Sequence, residues 1–266
     1  MTRQILFLFP DMAKTYLTEA RYRKYCEWVN VVENARRGNL KGRSTQQANQ
    51  YDKAEELITW NTFAPLLKMK TAAANSIVAE LIKVALFTDA SEYVDGKTFS
   101  IEFERLLPSP SSYLKHLAGT VKDHPVRYVR ESARGKKLLE WDTHVDISLE
   151  NSRLLVLVEM KFTSDISCQV RYDPNRNQLA RLTDAGIDAA GDKKLVVLLV
   201  SPSRAFSSKS RLYYYKVTDY QNSIENLKAD LPHRDDGEIA KILGVGWVSL
   251  KQVASTIQGR AIDPGL

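Results

Sequence analysis

The chain is poor in the residues that most small-protein chemistry relies on. Its only cysteines are Cys26 and Cys168, far apart and in no metal-ligand spacing. That excludes a disulfide framework and a thiolate zinc site, and it fits a reducing, cytoplasmic setting. Histidine is also scarce, and His124, His144 and His233 share no ligand spacing. His144 alone stands where a site residue is expected, as shown below. A Walker-type glycine-rich phosphate loop is missing, which argues against ATP use. Ser201-Pro202-Ser203 follows a strand-like run but is no nucleophile elbow. The apolar opening Ile5–Phe9 is stopped by Pro10-Asp11 and is too short for a signal-peptide core. No apolar run approaches membrane-spanning length, so a soluble protein without a membrane partner is expected. Internal repeats and low-complexity segments are missing too.

What is present is an ordinary globular composition, 44% hydrophobic and 26% charged over 266 residues. That length buries a full core, with room for appendages. The net charge of +6 leans towards a polyanionic partner. It is unevenly placed: residues 1–70 hold 12 Lys and Arg against 7 Asp and Glu, which leaves the rest nearly neutral. A basic N-terminal helical region (1–70) is therefore expected ahead of a core (71–220) and a C-terminal helical and strand extension packed on it (221–266). A second basic cluster, Arg127, Arg130, Arg134, Lys136 and Lys137, is a candidate for nucleic-acid backbone contact.

Hydrophobic periodicity places the elements. Asn75 or Ser76 can cap a helix running through Phe87 with Ile77, Leu81, Val84 and Ala85 on its apolar stripe. Glu80 falls three after Ile77 and four before Val84, and is read as lying on that stripe. Residues 98–103 alternate as a strand, and Tyr113 to Leu117 can begin a helix. Val145, Ile147 and Leu149 alternate with His144, Asp146 and Ser148, and Glu150-Asn151-Ser152-Arg153 is turn material. Leu154 to Phe162 then forms the second arm of a hairpin. A helix from Asn175 to Ala189 and the continuous apolar run Leu195–Val200 complete a right-handed strand–helix–strand crossover. Leu212–Val217 reads as one more strand. The fold class expected is α/β, with a central mixed sheet flanked by helices.

The chemistry is concentrated on Leu154–Phe162. Glu159 and Lys161 share a strand face with Leu155 and Leu157, and charged residues are rarely buried unless paired or employed. Asp146 on the facing arm brings a second carboxylate, with Asp142, four residues earlier on the same face, as its rival. Asp146 is preferred, being closer to the register of Glu159. Two carboxylates in reach of each other need a cation to stay ionised together. Oxygen ligands with open positions describe a Mg²⁺ site, with Mn²⁺ as substitute. Lys161 is placed to orient an attacking hydroxide or to contact a phosphate.

Asp146, followed by Glu159-Met160-Lys161 at the end of an apolar strand, resembles the PD-(D/E)XK nuclease superfamily, the restriction-endonuclease-like fold. The resemblance covers roughly residues 75–218, and it departs at Val145, where the signature has proline. It implies that Asp146 and Glu159 bind Mg²⁺ and that Lys161 assists the nucleophilic water. It also implies that Glu80 completes the metal site and that Gln178, in Asn177-Gln178-Leu179, reaches it from the crossover helix. The expected function is Mg²⁺-dependent hydrolysis of DNA phosphodiester bonds, as an endonuclease. Two alternatives stay open: an RNA-cleaving nuclease, and a non-catalytic module of this fold that binds nucleic acid or protein. Cutting both strands with one site per chain calls for a homodimer or partner subunits.

Overall fold

The computed structural model describes residues 58–261 apart from 95, 97, 124–129, 131–139, 163, 168–172, 174 and 207–210. Most of the basic N-terminal region lies outside the described residues, as do Cys26, Cys168, Arg127, Arg134, Lys136 and Lys137. Arg130 is described and half-buried. No helix among the described residues is long and apolar enough to cross a membrane.

The protein is α/β, built on a five-stranded mixed open sheet in the order β1 to β5. β1 (Ser100–Leu107), β2 (Thr143–Glu150) and β3 (Leu154–Met160) run antiparallel in turn; β4 (Lys194–Ser201) and β5 (Ile242–Ser249) then add parallel to β3. β3 has a neighbour on each edge and helices over each face, so every one of its residues is buried. That explains a run of apolar residues in place of strict alternation. Asn151 sets the hairpin turn: its Oδ1 accepts from the backbone N–H of Arg153 and Leu154, each at 2.8 Å.

Strand alternation divides the core in two. Leu154, Val156, Val158 and Met160 face α1 (Thr71–Leu86) and the final helix, where Ile77, Leu81, Ile82, Ala85, Val253 and Ile257 meet them. Leu155 and Leu157 face the other way, towards α3 (Gln178–Ala190) and α4 (Leu212–Asn222). α2 (Ser111–Lys122) follows β1, α5 (Ile224–Ala229) follows α4, and α6 (Leu250–Ala261) closes the described chain. Both layers sit close on the sheet where glycine allows it. A Cβ on Gly186 would stand 2.8 Å from Leu157 Cδ1, and one on Gly246 would stand 2.6 Å from the carbonyl oxygen of Ala85.

The structure corrects the sequence reading at Leu212–Val217, which is helix and not strand. Tyr213, Val217 and Tyr220 recur at helical spacing and are the residues α4 buries. Burial of that stripe outweighs the β-propensity of three adjacent tyrosines. The strand that extends the sheet is instead β5, from the C-terminal segment.

Candidate active site

The site begins where the hairpin comes apart. β2 and β3 pair from Glu150↔Leu155 to Ile147↔Val158, and there the ladder stops. The next backbone donor on β3, the N–H of Met160, is met by the carboxylate of Asp146 at 2.6 Å. A side chain thus replaces the carbonyl acceptor of the missing rung, which satisfies the amide and turns the carboxylate towards the end of β3.

The same level of the sheet carries a second irregularity. Glu104 on β1, between the rungs Phe103↔Ile147 and Arg105↔Val145, has φ of 53°. Left-handed backbone is uncommon outside glycine. Here the strands roll over: Phe103 and Ile147 pack in the α1-side core, whereas Leu107 and Val145 pack in the α3-side core. The sequence reading had put Val145, Ile147 and Leu149 on one face. Asp146 sits at the switch, and its carboxylate is directed along the sheet towards β3 instead of out of one face.

β3 continues one residue past its last rung, since the Lys161 N–H donates to the Val200 carbonyl at 2.8 Å. Glu159 and Lys161 are both buried. Lys161 Nζ lies 2.6 Å from Glu159 Oε1, and the Nε2 of Gln178 donates to the same oxygen, also at 2.6 Å. The Gln178 amide is held in that orientation because its Oε1 accepts from the Ser167 N–H at 3.2 Å. Its backbone N–H donates to the Ser167 carbonyl at 3.0 Å. The loop carrying Ser167 is tied down in turn by Asp165, which caps α4 through the Leu212 N–H at 2.7 Å.

Gln178 is the first residue of α3, so whatever fixes that helix end fixes the site. Asn177 caps the helix, accepting from the N–H of Leu179 and Ala180 at 3.0 Å each. Its amide nitrogen donates to Tyr220 Oη at 2.8 Å. Arg176, one residue earlier and 0% exposed, makes a two-pronged pair with Glu140 at 3.0 and 2.7 Å and a third contact with Asp184 at 2.7 Å. Its guanidinium lies 3.6 Å from the Tyr113 ring centroid. Asp184 also meets Arg234 Nε at 2.6 Å and His233 Nε2 at 2.9 Å. Burial raises the Asp184 pKa. The hydrogen bond with His233 and the charges of Arg176 and Arg234 outweigh burial and hold it below the usual carboxylate value.

Of the residues expected from sequence, the structure brings together Asp146, Glu159, Lys161 and Gln178. Glu80 is not among them, which corrects its expected role. Its side chain is exposed, and α1 covers the sheet face opposite to that of Glu159. The buried stripe of α1 is Ala74, Ile77, Val78, Leu81, Ile82 and Ala85. Glu80 falls roughly 130° around the helix from the centre of that stripe. His144 and Asp142 are exposed. Among the described residues no group of three or more His, Cys, Asp or Glu is placed to hold a metal ion.

The cluster of Glu140, Arg176, Asp184, His233 and Arg234 escaped the sequence reading. One signal was there: Asp184 stands four after Ala180 and three before Ile187, at the spacing of a buried stripe. Its partners come from distant segments and give no local sign. Comparison of the chain with family models, with curated proteins and with solved structures gives no match.

Proposed function

We propose that the protein is a metal-dependent nuclease of the PD-(D/E)XK, restriction-endonuclease-like kind, hydrolysing DNA phosphodiester bonds. The observation that carries this reading is the convergence of Lys161 and Gln178 on one oxygen of buried Glu159, with the Asp146 carboxylate held by the N–H of the next residue, Met160, where the hairpin parts. A buried strand end has no packing reason to gather these groups.

In this reading Asp146 and Glu159 would hold Mg²⁺, or Mn²⁺ in its place, with Lys161 and Gln178 fixing the Glu159 carboxylate. When bound, the ion lowers the pKa of a coordinated water and neutralises charge on the phosphate. Lys161, held against Glu159, would place its positive charge beside the attacking water and the phosphate oxygens. Gln178 keeps Glu159 from swinging away, a geometric task in which small displacements cost rate.

Plasmid DNA incubated with the protein and Mg²⁺ is the test. Nicked or linear product is expected from wild type, and none with EDTA, with Asp146→Ala or with Lys161→Ala. Cleavage that survives both substitutions sinks the assignment.

A further inference from the structure

One large apolar side chain stands in the open on the site's own end of the sheet. Trp141 is 77% exposed. It lies just before β2, five residues from Asp146, or about 16 Å along an extended chain. Leu106 on β1, 54% exposed, is paired with His144 of β2.

The backbone that carries Trp141 is anchored at three points. Glu140 before it is buried and gripped by Arg176 through both carboxylate oxygens. The Trp141 carbonyl accepts from Ser109 Oγ at 2.7 Å. Thr143, two residues on, is paired with Leu107. An indole presented on a fixed backbone loses little freedom when a flat partner stacks on it. Successive bases of single-stranded DNA are such partners, since every base has a π-face.

We propose that Trp141 is a stacking platform for an unpaired DNA base, so that the site prefers single-stranded or frayed DNA over intact duplex. At most about 16 Å of chain separates Trp141 from Asp146, so a strand lying across Asp146 and Glu159 can reach the indole within a few nucleotides of the scissile phosphate. The identity of the polymer rests on the nuclease reading; the stacking role rests on Trp141 and its anchors. The pair Glu140–Arg176 links them, because the arginine that grips the platform also precedes Asn177 and Gln178.

Binding of a fluorescently labelled, mixed-sequence single-stranded oligodeoxynucleotide and of the blunt duplex of the same sequence is measured by polarisation. Full-length protein is used, in EDTA to prevent cleavage. Trp141→Ala is expected to weaken single-strand binding roughly tenfold, the effect of losing one stacked base, with duplex binding changed less than about twofold. Trp141→Phe, which keeps a π-face, should recover most of the loss. Phe87→Gly is the control, removing an exposed aromatic from the α1 end that packs on β5. Unaltered thermal unfolding of Trp141→Ala is the expected check on folding, as the side chain is not part of either core. Equal losses on both DNAs, no loss on the single strand, or no single-strand binding by wild type each overturn the proposal. The two readings fail separately. Selective loss in Trp141→Ala with no Mg²⁺-dependent cleavage by wild type keeps the platform and removes the nuclease. Cleavage with unchanged single-strand binding does the reverse.

Discussion

The two faces of the sheet are built by different rules. Under α1 the packing against the sheet is apolar: Ile77, Leu81 and Ile82 close on Val156, Val158 and Met160, and the helix's one buried polar residue, Asn75, donates to the Val94 carbonyl. Under α3 the core begins the same way, with Leu155, Leu157 and Leu182. It then gives way towards the end of β3 to buried Glu159, Lys161, Arg176 and Asp184. An apolar face tolerates change through volume alone, whereas a buried charge needs all its partners at once. The α1 face therefore supplies general stability, and the α3 face is committed to one arrangement of side chains.

Breaking the charged face has the largest expected effect. Arg176→Met leaves the Glu140 and Asp184 carboxylates short of a cation and should cost about 3–5 kcal/mol of unfolding free energy. Denaturant unfolding measures it, and a loss under about 1 kcal/mol would mean that water already serves the cluster. Next is Gly246→Ala on the opposite face. It forces a methyl against the Ala85 carbonyl and should cost about 1–3 kcal/mol, with little change in cleavage by the remaining folded protein.

Acid sharpens the contrast. The folded-state pKa of Asp184 is depressed, so its contribution is full above the unfolded value near 3.9 and is lost as pH falls through the lower folded value. Wild type should be more stable than Asp184→Asn at pH 6, with the two unfolding temperatures converging as pH is taken below about 4. Parallel curves at all pH values would show that Asp184 stays paired in the unfolded chain. The smallest effect has the opposite sign. Phe87 ends α1 with φ of 56° and is 87% exposed, so Phe87→Gly should add about 1 kcal/mol of stability. Calorimetry would show the rise, or its absence.

How far the sequence could be read follows the same division. β3, its hairpin, α3 and β4 were legible because each is a continuous apolar run or a clear period set between turn residues. Glu159 and Lys161 stand out as charged groups in an apolar run, whereas Gln178 enters only through the family resemblance. Asp146 is picked for a simpler geometry than the one the structure has. Its alternation with Val145 and Ile147 looks regular, and the rollover at Glu104 has no mark in the letters. Glu80 was misplaced because spacing to Ile77 and Val84 alone does not locate the centre of a stripe. Arg176 and Asp184 gave no warning of each other, since their other partners, Glu140 for the first and His233 and Arg234 for the second, lie in distant parts of the chain.

That last point has a consequence during synthesis. Asp146, Glu159, Lys161 and Gln178 have all been made by the time β4 leaves the ribosome. His233 and Arg234, which hold Asp184 and through it Arg176, emerge later, and so does β5. A nascent chain therefore carries every reactive group of the site before the parts that hold Gln178 against Glu159. Order of translation thus leaves the Glu159–Gln178 contact without its distant supports until the last segments arrive, so that the half-made molecule lacks the arrangement of the finished one.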